Sequence, residues 1–503
     1  MSRNMSITKI TIPVRKEELS LAKVMPYLGV IIDKFEQNRK RIRADYDYYC
    51  LDHPIMSKVR AHQDSNSNNI VLVPDLRSMV EWKVGYVFGN PIKYAQNKTG
   101  DTDDIEYLNK YVRNVTQRAV DKEVATWVYA TGIGYYFIEP KSENFDIEVE
   151  APYELYCREA DTCTKVYSAY GAKKPLFDIL YTTYEEILPD KTRRNVEVYD
   201  IYFPDMLYTF EKRLGVSDLV KVREFSRVQG VYGTISPKPL PLVEKRANVD
   251  GIGMVASGRM LQDAVENLLS QGVDNVEDIV NSIFVYTNVN LGDTLEEMAS
   301  NHQRMCKGGA ISVTQNGDKE PSVEVLSPNL SLAEIKSLYA ILNEKFHAVM
   351  GVPMETSNTN SGGTTKQGSE VANGYENAFN KAMNDINTFM VADTELLTKI
   401  MWICKNTVGN KINNLAPSEI EIKYNINLTD NMLVKAQSFS TLAPFLPPEM
   451  NLRINRISND PEAEGRKIRE WMEYLASRQS EPVKEQATDN TDGAPQTDID
   501  SQE

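Results

Sequence analysis

The feature that most constrains the fold is an unbroken helical period from about Gly368 to Thr407. Apolar side chains recur there every three or four residues, which places them along one face of an α-helix. Gly409 follows and ends the segment. At 1.5 Å per residue, about 40 residues extend to about 60 Å. The sequence therefore predicts one very long amphipathic helix. Its apolar face carries Ala372, Tyr375, Phe379, Met383, Ile386, Met390, Leu397 and Met401.

Two shorter helices are predicted ahead of the long one. Residues 258–282 carry an apolar stripe at helical spacing, although Gly272 weakens its middle. Residues 331–350 are strongly amphipathic, and Ser331 with Glu334 has the spacing of a capping box. A polar stretch rich in Gly, Ser, Thr and Asn, residues 354–368, separates this helix from the long one, and we expect it to be mobile.

The segment between these two helices has a mixed pattern. Residues 282–289, 310–314 and 322–326 alternate in the manner of short strands. A helix is predicted between the first two, at residues 293–305. Asn316-Gly317 lies between the last two strands and is a strong hairpin signal. We therefore expect a small α/β insert between the two amphipathic helices.

The N-terminal half begins with helical patterns, at residues 16–48, 70–90 and 101–130, and then changes to a period of two. From about 132 to 245, short alternations rich in Tyr and Val are separated by turn residues. This pattern is typical of antiparallel sheet with one face buried. Taken with the helices on either side, it predicts an α+β protein.

Beyond the long helix, one strand is predicted at 420–428, followed by helical pieces from 430 to 479 around Pro444 and Pro447-Pro448. The last 23 residues, from Glu481, contain seven acidic residues, one Lys and almost no large apolar side chain. Such a composition cannot bury enough apolar surface to fold, so we expect disorder there.

The charge balance excludes one class of nucleic-acid binder. Acidic residues outnumber basic ones by 71 to 56, for a formal charge of −15. A protein that wraps nucleic acid needs clustered Lys and Arg to neutralise phosphates, whereas a protein past which DNA slides does not. One stretch from Arg39 to Arg43, followed by Tyr46, Tyr48 and Tyr49, has the basic and aromatic residues of a single-strand site. A solvated helix face beside a packed one is the more common interpretation.

No motif identifies a catalytic, metal or cofactor site. The chain has no P-loop, no H-E-x-x-H and no G-x-S-x-G, and its four histidines are far apart. The segment Gly251 to Ala256 matches the G-x-G-x-x-A dinucleotide pattern, but no convincing strand precedes it and no β-α-β alternation surrounds it. The five cysteines are scattered without a common zinc spacing, so we expect free thiols in a reducing compartment.

The N-terminus and the hydropathy profile indicate where the chain is made. The first residues, MSRNMSITKI, contain no apolar core of a signal peptide. No run of about 18 apolar residues predicts a transmembrane helix. We therefore expect synthesis in the cytoplasm and no association with a membrane.

The order of these elements resembles the portal, or head-to-tail connector, family of long-tailed bacteriophages over essentially the whole chain. The order itself, with a Gly-rich loop between an amphipathic helix and the long one, carries most of this resemblance. Several local strings are also similar to family strings. They are VGYVFGNPI (84–92), ATGIGYYFIEP (130–140), APYELY (151–156), PLPLVEKRANVDGIG (239–253) and NRISNDPEAE (455–464).

The resemblance implies an α+β portal fold with an α/β wing, a two-helix stem, a small α/β clip, a long wing helix and a helical C-terminal crown. Its parts would divide the chain as follows: 1–257 wing, 258–282 stem helix, 283–330 clip, 331–353 stem helix, 354–368 tunnel loop, 369–430 wing long helix and strand, 431–480 crown and 481–503 disordered acidic tail.

The resemblance also implies a non-enzymatic protein without a cofactor, which forms a closed ring of twelve copies at one capsid vertex of the virion. A ring requires a head-to-tail interface whose rotation closes. The stem helices would contribute to that interface, and packing within one subunit is the alternative. The implied interface residues are Leu261, Val265, Leu268, Leu332, Ile335, Tyr339, Leu342 and Phe346.

The tunnel loop would face double-stranded DNA during packaging and ejection. Its short hydroxyl and amide side chains and single Lys can contact phosphates without the affinity of an Arg cluster. The loop residues are Asn358, Thr359, Asn360, Ser361, Thr364, Thr365 and Lys366. The resemblance further implies four kinds of partner: the terminase large subunit, which supplies ATP hydrolysis, the major capsid protein, the scaffolding protein and a head-completion or tail adaptor protein.

Two other classes of protein stay open at this point. A phage adaptor or scaffold protein without a DNA channel is disfavoured by the order of helix, insert, helix, loop and long helix. A DNA-processing enzyme such as a terminase subunit is disfavoured by the missing P-loop.

Overall fold

The structure is a computed structural model of the chain, and it confirms the α+β class. The chain divides into two compact units, Met1–Asn427 and Leu428–Glu503. The described residues are 6–58, 68–96, 103–141, 145–146, 149–189, 191–213, 219–231, 234–280, 283–287, 294–308, 322–326, 332–354, 365–410, 412, 415–426, 438–455 and 461–479.

The helices lie at both ends of the chain and flank a strand-rich middle. The α-helices are α1 (Leu21–Tyr49), α2 (Asp75–Phe88), α3 (Asp103–Asn114), α4 (Gln117–Thr131), α5 (Met254–Val280), α6 (Leu295–Gly308), α7 (Leu332–Met350), α8 (Thr365–Lys405), α9 (Pro448–Ile454) and α10 (Pro461–Gln479). Short 3-10 helices cover Lys16–Glu18, Pro54–Ser57 and Pro417–Glu419.

Most strands fall between α4 and α5. The strands are β1 (Ile10–Ile12), β2 (Lys93–Gln96), β3 (Ile133–Pro140), β4 (Tyr153–Arg158), β5 (Cys163–Ser168), β6 (Pro175–Ile187), β7 (Arg193–Tyr202), β8 (Met206–Arg213), β9 (Val220–Ser226), β10 (Val228–Val231), β11 (Thr234–Pro237), β12 (Leu242–Arg246), β13 (Ile283–Thr287), β14 (Ser322–Leu326) and β15 (Ile420–Lys423).

The largest sheet has six strands in the order β1-β5-β6-β7-β8-β9. It is antiparallel except for β1, which runs parallel to β5. A second antiparallel sheet has the order β12-β3-β4. Three two-stranded pairs, β10 with β11, β13 with β14 and β2 with β15, complete the pairing among the described residues.

One core lies between α1 and the six-stranded sheet. Apolar residues of α1 recur every three or four positions and form one buried face, which includes Leu28 and Phe35. The sheet contributes Ile179 and Tyr199, both fully buried, and Tyr181, whose ring meets that of Phe35 edge to face at a centroid distance of 6.3 Å. The apolar face of α1, at helical spacing, and the apolar faces of β6 and β7, at twofold spacing, therefore pack against each other in this core.

A second core joins the end of α4 and the start of β3 to the second half of α1. Trp127 of α4 stacks on Tyr46 of α1 at a centroid distance of 3.7 Å. Ile133 and Tyr135 of β3 and Leu242 of β12 are buried beside them. The helix α8 also contacts β12 and β3, so the long helix is anchored on the three-stranded sheet.

The G-x-G segment before α5 serves a close crossing of two backbones. A Cβ on Gly253 would lie 2.3 Å from the carbonyl oxygen of Ala130, and one on Gly132 would lie 2.4 Å from that of Gly251. Gly132 and Gly251 also adopt left-handed φ values of 94° and 64°, which favour glycine. Packing against the α4–β3 turn therefore explains these glycines.

The predicted element bounds need small corrections. The predicted helix 16–48 begins later, because Lys16–Glu18 form a 3-10 turn and α1 starts at Leu21. The long helix predicted from 368 to 407 is α8, Thr365–Lys405. In the insert, β13 pairs antiparallel with β14, while the predicted strand 310–314 and the Asn316-Gly317 hairpin lie outside the described residues.

The second unit contains the packed helices α9 and α10. Asn451 of α9 is fully buried and donates a hydrogen bond of 2.8 Å to the carbonyl oxygen of Phe439. Arg469 of α10 forms an ion pair with Glu449 of α9. The acidic residues 481–503, predicted to be disordered, lie outside the described residues.

Candidate stem helices and tunnel loop

The predicted stem helices α5 and α7 form an antiparallel pair within the chain. Gly258, near the start of α5, faces Phe346 and Met350 at the end of α7, where a Cβ would meet both side chains at 3.0 Å or less. Gly272, late in α5, faces Ile335 near the start of α7 at 3.6 Å. The two glycines therefore lie where the helices approach closely, and Gly272 serves this packing although it weakens the helix.

The structure divides the eight predicted interface residues into three groups. Val265 and Phe346 are 1% and 0% exposed, so both side chains are already buried within the single chain. The side chain of Leu332 lies outside the described residues. The others are half-buried along the α5–α7 pair. They are Leu261, Leu268, Ile335, Tyr339 and Leu342.

Other apolar side chains of the pair point to solvent. Met260 of α5 is 75% exposed, and Ile341 of α7 is 56% exposed. Leu338, Ile341 and Val349 share one side of α7, and apolar side chains grouped on one surface mark an interaction site more often than single ones do. The apolar stripes of the sequence include Val276 and Val349 but not the other four residues. The set is Met260, Val273, Val276, Leu338, Ile341 and Val349.

The predicted tunnel loop follows α7 directly. The chain leaves α7 through Gly351, which has a left-handed φ of 68°, and the described part ends at Met354. The loop residues Asn358, Thr359, Asn360, Ser361 and Thr364 lie outside the described residues, and Thr365 and Lys366 open α8 with side chains that also lie outside them. The DNA-facing role of these seven residues stays a prediction.

A ladder of polar side chains on α5 holds an extended segment, residues 68–74, which we call the strap. Asp274 accepts hydrogen bonds from the backbone and side-chain amides of Asn69, at 2.7 and 3.1 Å. Ser270 accepts one of 3.0 Å from the N–H of Val71. All the ladder side chains are 0–2% exposed. They are Gln262, Glu266, Ser270 and Asp274.

The ladder continues to the start of α2. Glu266 accepts a hydrogen bond of 3.2 Å from the N–H of Val73. Gln262 accepts one of 3.1 Å from the N–H of Leu76 and donates one of 2.7 Å to the carbonyl oxygen of Val73. Four residues of helix rise about 6.0 Å, and two residues of extended chain span about 6.6 Å. Acceptors spaced by four on α5 therefore match donors spaced by two on the strap.

The end of α1 joins the same face of α5. Tyr48 donates a hydrogen bond of 2.8 Å to Asp263 and stacks on His53 at a centroid distance of 4.0 Å. The Nδ1 atom of His53 lies 2.6 Å from Glu266, and both side chains are buried. Thus α5 is fixed to α1 and the strap by polar contacts and to α7 by apolar ones.

The basic and aromatic stretch of α1 is used for packing. Arg39 pairs with Glu36 at 3.2 Å and lies 3.8 Å from the ring centroid of Tyr181. Arg41 donates to the carbonyl oxygen of Ser6. Arg43 pairs with Asp47 at 3.0 Å. With Tyr46, Tyr48 and Tyr49 also in contacts inside the chain, the solvated-and-packed interpretation fits this stretch better than a nucleic-acid site.

A buried charge network fixes α8 to the sheet. Lys245 of β12 is 0% exposed and donates to Asp393 of α8 at 2.8 Å and to the hydroxyl of Tyr424 at 3.1 Å. Four aromatic rings lie within 6 Å of its ammonium group, at distances that suit cation–π attraction. They belong to Phe88, Tyr136, Phe389 and Tyr424, at 5.0, 5.4, 5.0 and 5.8 Å.

A second carboxylate of this network, Asp121 of α4, forms no ion pair with a described residue. It accepts a hydrogen bond of 2.9 Å from Tyr136. Burial is the main cause that raises the pKa of Asp121, to about 7; Lys245 opposes this rise and Asp393 adds to it. Two carboxylates thus compete for one lysine, and the lysine contacts Asp393.

A second network lies at Leu242 of β12. Lys165 and Lys399 both donate to its carbonyl oxygen, at 3.0 and 2.6 Å, and both pair with Glu395 of α8, at 2.6 and 2.8 Å. Burial acts to raise the pKa of Glu395, but the two lysines outweigh it and lower that pKa to about 2. Burial, with help from Lys165, lowers the pKa of Lys399 to about 8.

The described residues contain no group of three or more His, Cys, Asp or Glu side chains placed to hold a metal ion. None of the helices within the described ranges is both long and apolar enough to cross a membrane.

A family model matches nearly the whole chain. The family is the phage portal protein family, SPP1 Gp6-like, and the match covers residues 28–478. The chain belongs to this family. It therefore has the role of a portal, or head-to-tail connector, component of a phage virion, and the resemblance inferred from the order of elements is confirmed. Portal proteins of this family are in general structural rather than enzymatic.

Two solved structures give a weaker likeness to this portal protein. One is described as the neck of an empty GTA particle computed with C6 symmetry, with 13% identity and a TM-score of 0.39, covering 76% of this chain and 88% of that chain. The other is the virion of a native gene transfer agent (GTA) particle, with 12% identity and a TM-score of 0.38, covering 75% and 88%. No curated protein matches the chain.

Proposed function

We propose that this portal protein forms a closed ring, of twelve copies in the virion, around a passive channel for double-stranded DNA during packaging and ejection. The observation that carries the proposal is the exposed apolar surface of the α5–α7 pair. Met260, Leu338, Ile341 and Val349 are 75, 47, 56 and 53% exposed although they belong to two long, well-packed helices. Such a surface needs a partner, and a ring supplies identical copies.

Within the ring, we assign the wing to residues 1–257 and 369–430, the stem to 258–282 and 331–353, and the clip to 283–330. The clip would face the terminase large subunit during packaging and a head-completion or adaptor protein afterwards. The crown, residues 431–480, would lie inside the capsid, and the capsid and scaffolding proteins would contact the ring at its vertex. The tunnel loop, 354–368, would project toward DNA.

The mechanism is passive with respect to ATP. A net charge of −15 suits a wall that DNA passes more than one that holds it. Arg39, Arg41 and Arg43, the basic residues of α1, are used in contacts with Glu36, Ser6 and Asp47 of the same chain. Force would come from the terminase, while the portal supplies the hole, the docking surfaces and a signal that the head is full.

Electron microscopy of the purified protein, with its native mass, tests this proposal. Rings with a central hole and a mass near twelve times 57.0 kDa, or a neighbouring multiple, would support it. A compact monomer or dimer that does not assemble with capsid or scaffolding protein would favour an adaptor or scaffold without a DNA channel. An ATPase assay of the pure protein separates both from a DNA-processing enzyme, since a portal without terminase is expected to show no turnover.

A further inference from the structure

A concave pocket lies between α2 and the end of α7. It has a volume of about 280 Å³. Trp82 stacks on Tyr86 at a centroid distance of 4.8 Å, so one aromatic wall of the pocket is held in place. Both apolar and polar side chains line it. They are Asp75, Ser78, Met79, Trp82, Asn343, His347, Val352, Pro353 and Met354.

The opposite side of α7 carries protruding side chains. Leu338, Ile341 and Val349 are 47, 56 and 53% exposed, and Lys345 is exposed among them. At about 100° per residue, these four residues lie about 160–240° around the helix from Asn343, which lines the pocket. One helix therefore has a pocket on one side and an apolar ridge on the other.

The charges of the two surfaces are complementary. Asp75 is half-buried in the pocket, and Lys345 is exposed in the middle of the ridge. Neither forms an ion pair with another described residue. Burial is the main cause that raises the pKa of the Asp75 carboxyl, and the neighbouring His347 opposes this rise. An ammonium group brought to this carboxylate would gain more than one at a fully solvated site.

We propose that the α7 ridge of one copy docks into the α2–α7 pocket of the next, with Lys345 against Asp75. The proposal rests on the proposed ring, and it names the two faces that meet. Two different faces of one chain form a heterologous contact, which is the kind that closes into a ring. The apolar residues of the ridge would pack against Trp82, an amphipathic anchor of the type found at the centre of interfaces.

A second copy is the occupant that these observations favour. The ridge and the pocket lie on opposite sides of the same helix, so each copy can donate to one neighbour and accept from the other. Their charges are opposite in sign, which suppresses ridge-to-ridge or pocket-to-pocket pairing. A partner of another kind would need only one of the two surfaces, whereas a second copy uses both.

A charge swap tests the contact. We expect Lys345→Glu and Asp75→Lys each to weaken self-association about tenfold or more, because each places like charges together. The double variant restores the opposite pair and is expected to return association to within about threefold of wild type. The measurement is the ring fraction against protein concentration, by native mass and electron microscopy.

Controls separate this contact from folding and from the ring itself. Lys34→Glu reverses an exposed charge on α1 and is expected to leave the ring fraction unchanged. Ile341→Asp, at a site 56% exposed, is expected to keep the thermal midpoint and lower the ring fraction. If wild type forms rings and Lys345→Glu assembles equally well, or the double variant stays as weak as the singles, the docking is wrong and the ring stands. Absence of rings in wild type, also when capsid or scaffolding protein is present, overturns both.

Discussion

Replacing Asp121 with asparagine tests the buried network that joins α4, β12 and α8. Burial raises the pKa of Asp121 from 3.8 to about 7. The unfolded chain therefore releases this proton near pH 4, while the folded chain keeps it until about pH 7. A difference of about 3 pKa units is worth about 4 kcal/mol.

The sign of this effect follows from which state holds the proton. Below pH 4 both states are protonated and Asp121 contributes no penalty. Between pH 4 and pH 7 the unfolded state is the one that ionises, so the free energy of unfolding falls as pH rises, and above pH 7 the loss is constant. An asparagine at this position does not ionise and carries no such penalty. We therefore expect the Asp121→Asn variant to have a higher free energy of unfolding than wild type above pH 4. The expected difference is about 4 kcal/mol at pH 8.

The local hydrogen bonds favour this substitution. Tyr136 can donate to an asparagine oxygen as it does to Asp121 at 2.9 Å. The side chain of Gln117 is a second hydrogen-bond partner of Asp121, and like Tyr136 it acts to lower the pKa of this carboxyl. An isosteric neutral residue keeps the acceptor for Tyr136 without the buried charge.

The assay is denaturant unfolding at pH 5, 6, 7 and 8, at one protein concentration because assembly adds stability. Asp393→Asn is the matched control in the same network. It removes the direct partner of Lys245 and is expected to destabilise the folded protein at neutral pH. The loss is expected to be smaller than the ~3–5 kcal/mol of an isolated broken pair, because Asp121 then becomes the counter-ion of Lys245. A difference between Asp121→Asn and wild type that stays flat with pH, or a less stable variant at pH 8, refutes the reasoning.

Three further predictions concern the strap, the glycine crossing and the tunnel loop. Ser270→Ala removes the acceptor of the Val71 N–H, so we expect a loss of about 1–3 kcal/mol and faster hydrogen exchange at Val71. Gly253→Ala brings a Cβ within 2.3 Å of the Ala130 carbonyl oxygen, and we expect the midpoint of thermal unfolding to fall, by more than a surface change would cause. Lys366→Ala is expected to change DNA packaging efficiency more than ring assembly; broken rings with unchanged DNA filling would contradict it.

The long helix could be predicted from sequence because its signal is local. The helical period and Gly409 predicted bounds of 368–407, and α8 spans Thr365–Lys405. The twofold period likewise predicted the antiparallel strands from β3 to β12. The parallel pairing of β1 with β5 carries no such signal, because it joins residues 10–12 to 166–168 across the chain.

The residues predicted for the stem show what an apolar stripe cannot specify. The stripe predicted burial, and Val265 and Phe346 are indeed buried, but by α5 and α7 of the same chain. An apolar stripe predicts that a helix face is buried, but it does not indicate whether the same chain or another copy covers that face. The exposed residues Met260 and Ile341 lie off the stripe, and only the structure distinguishes them from scattered surface residues.

The polar ladder of α5 is visible in the sequence as a regular spacing of polar residues. Gln262, Glu266, Ser270 and Asp274 follow one another at intervals of four, which places them on one face of the helix. Polar residues on one face of an amphipathic helix ordinarily indicate the solvent side. Here they are 0–2% exposed, because an extended strap with matching donor spacing covers them.

The helix α5 thus departs from the usual arrangement, because it buries polar residues as well as Val265 and exposes Met260, Val273 and Val276. Hydrogen bonds with the strap and His53 offset the burial of these polar groups, although Oε2 of Glu266 has no hydrogen-bond partner among the described residues. The outside is unfavourable in an isolated chain, where Met260 is 75% exposed. In the proposed ring, the polar ladder would hold α5 within its own subunit, and the next subunit would cover Met260. The exposed apolar residues of α5 would then be buried only in the assembly.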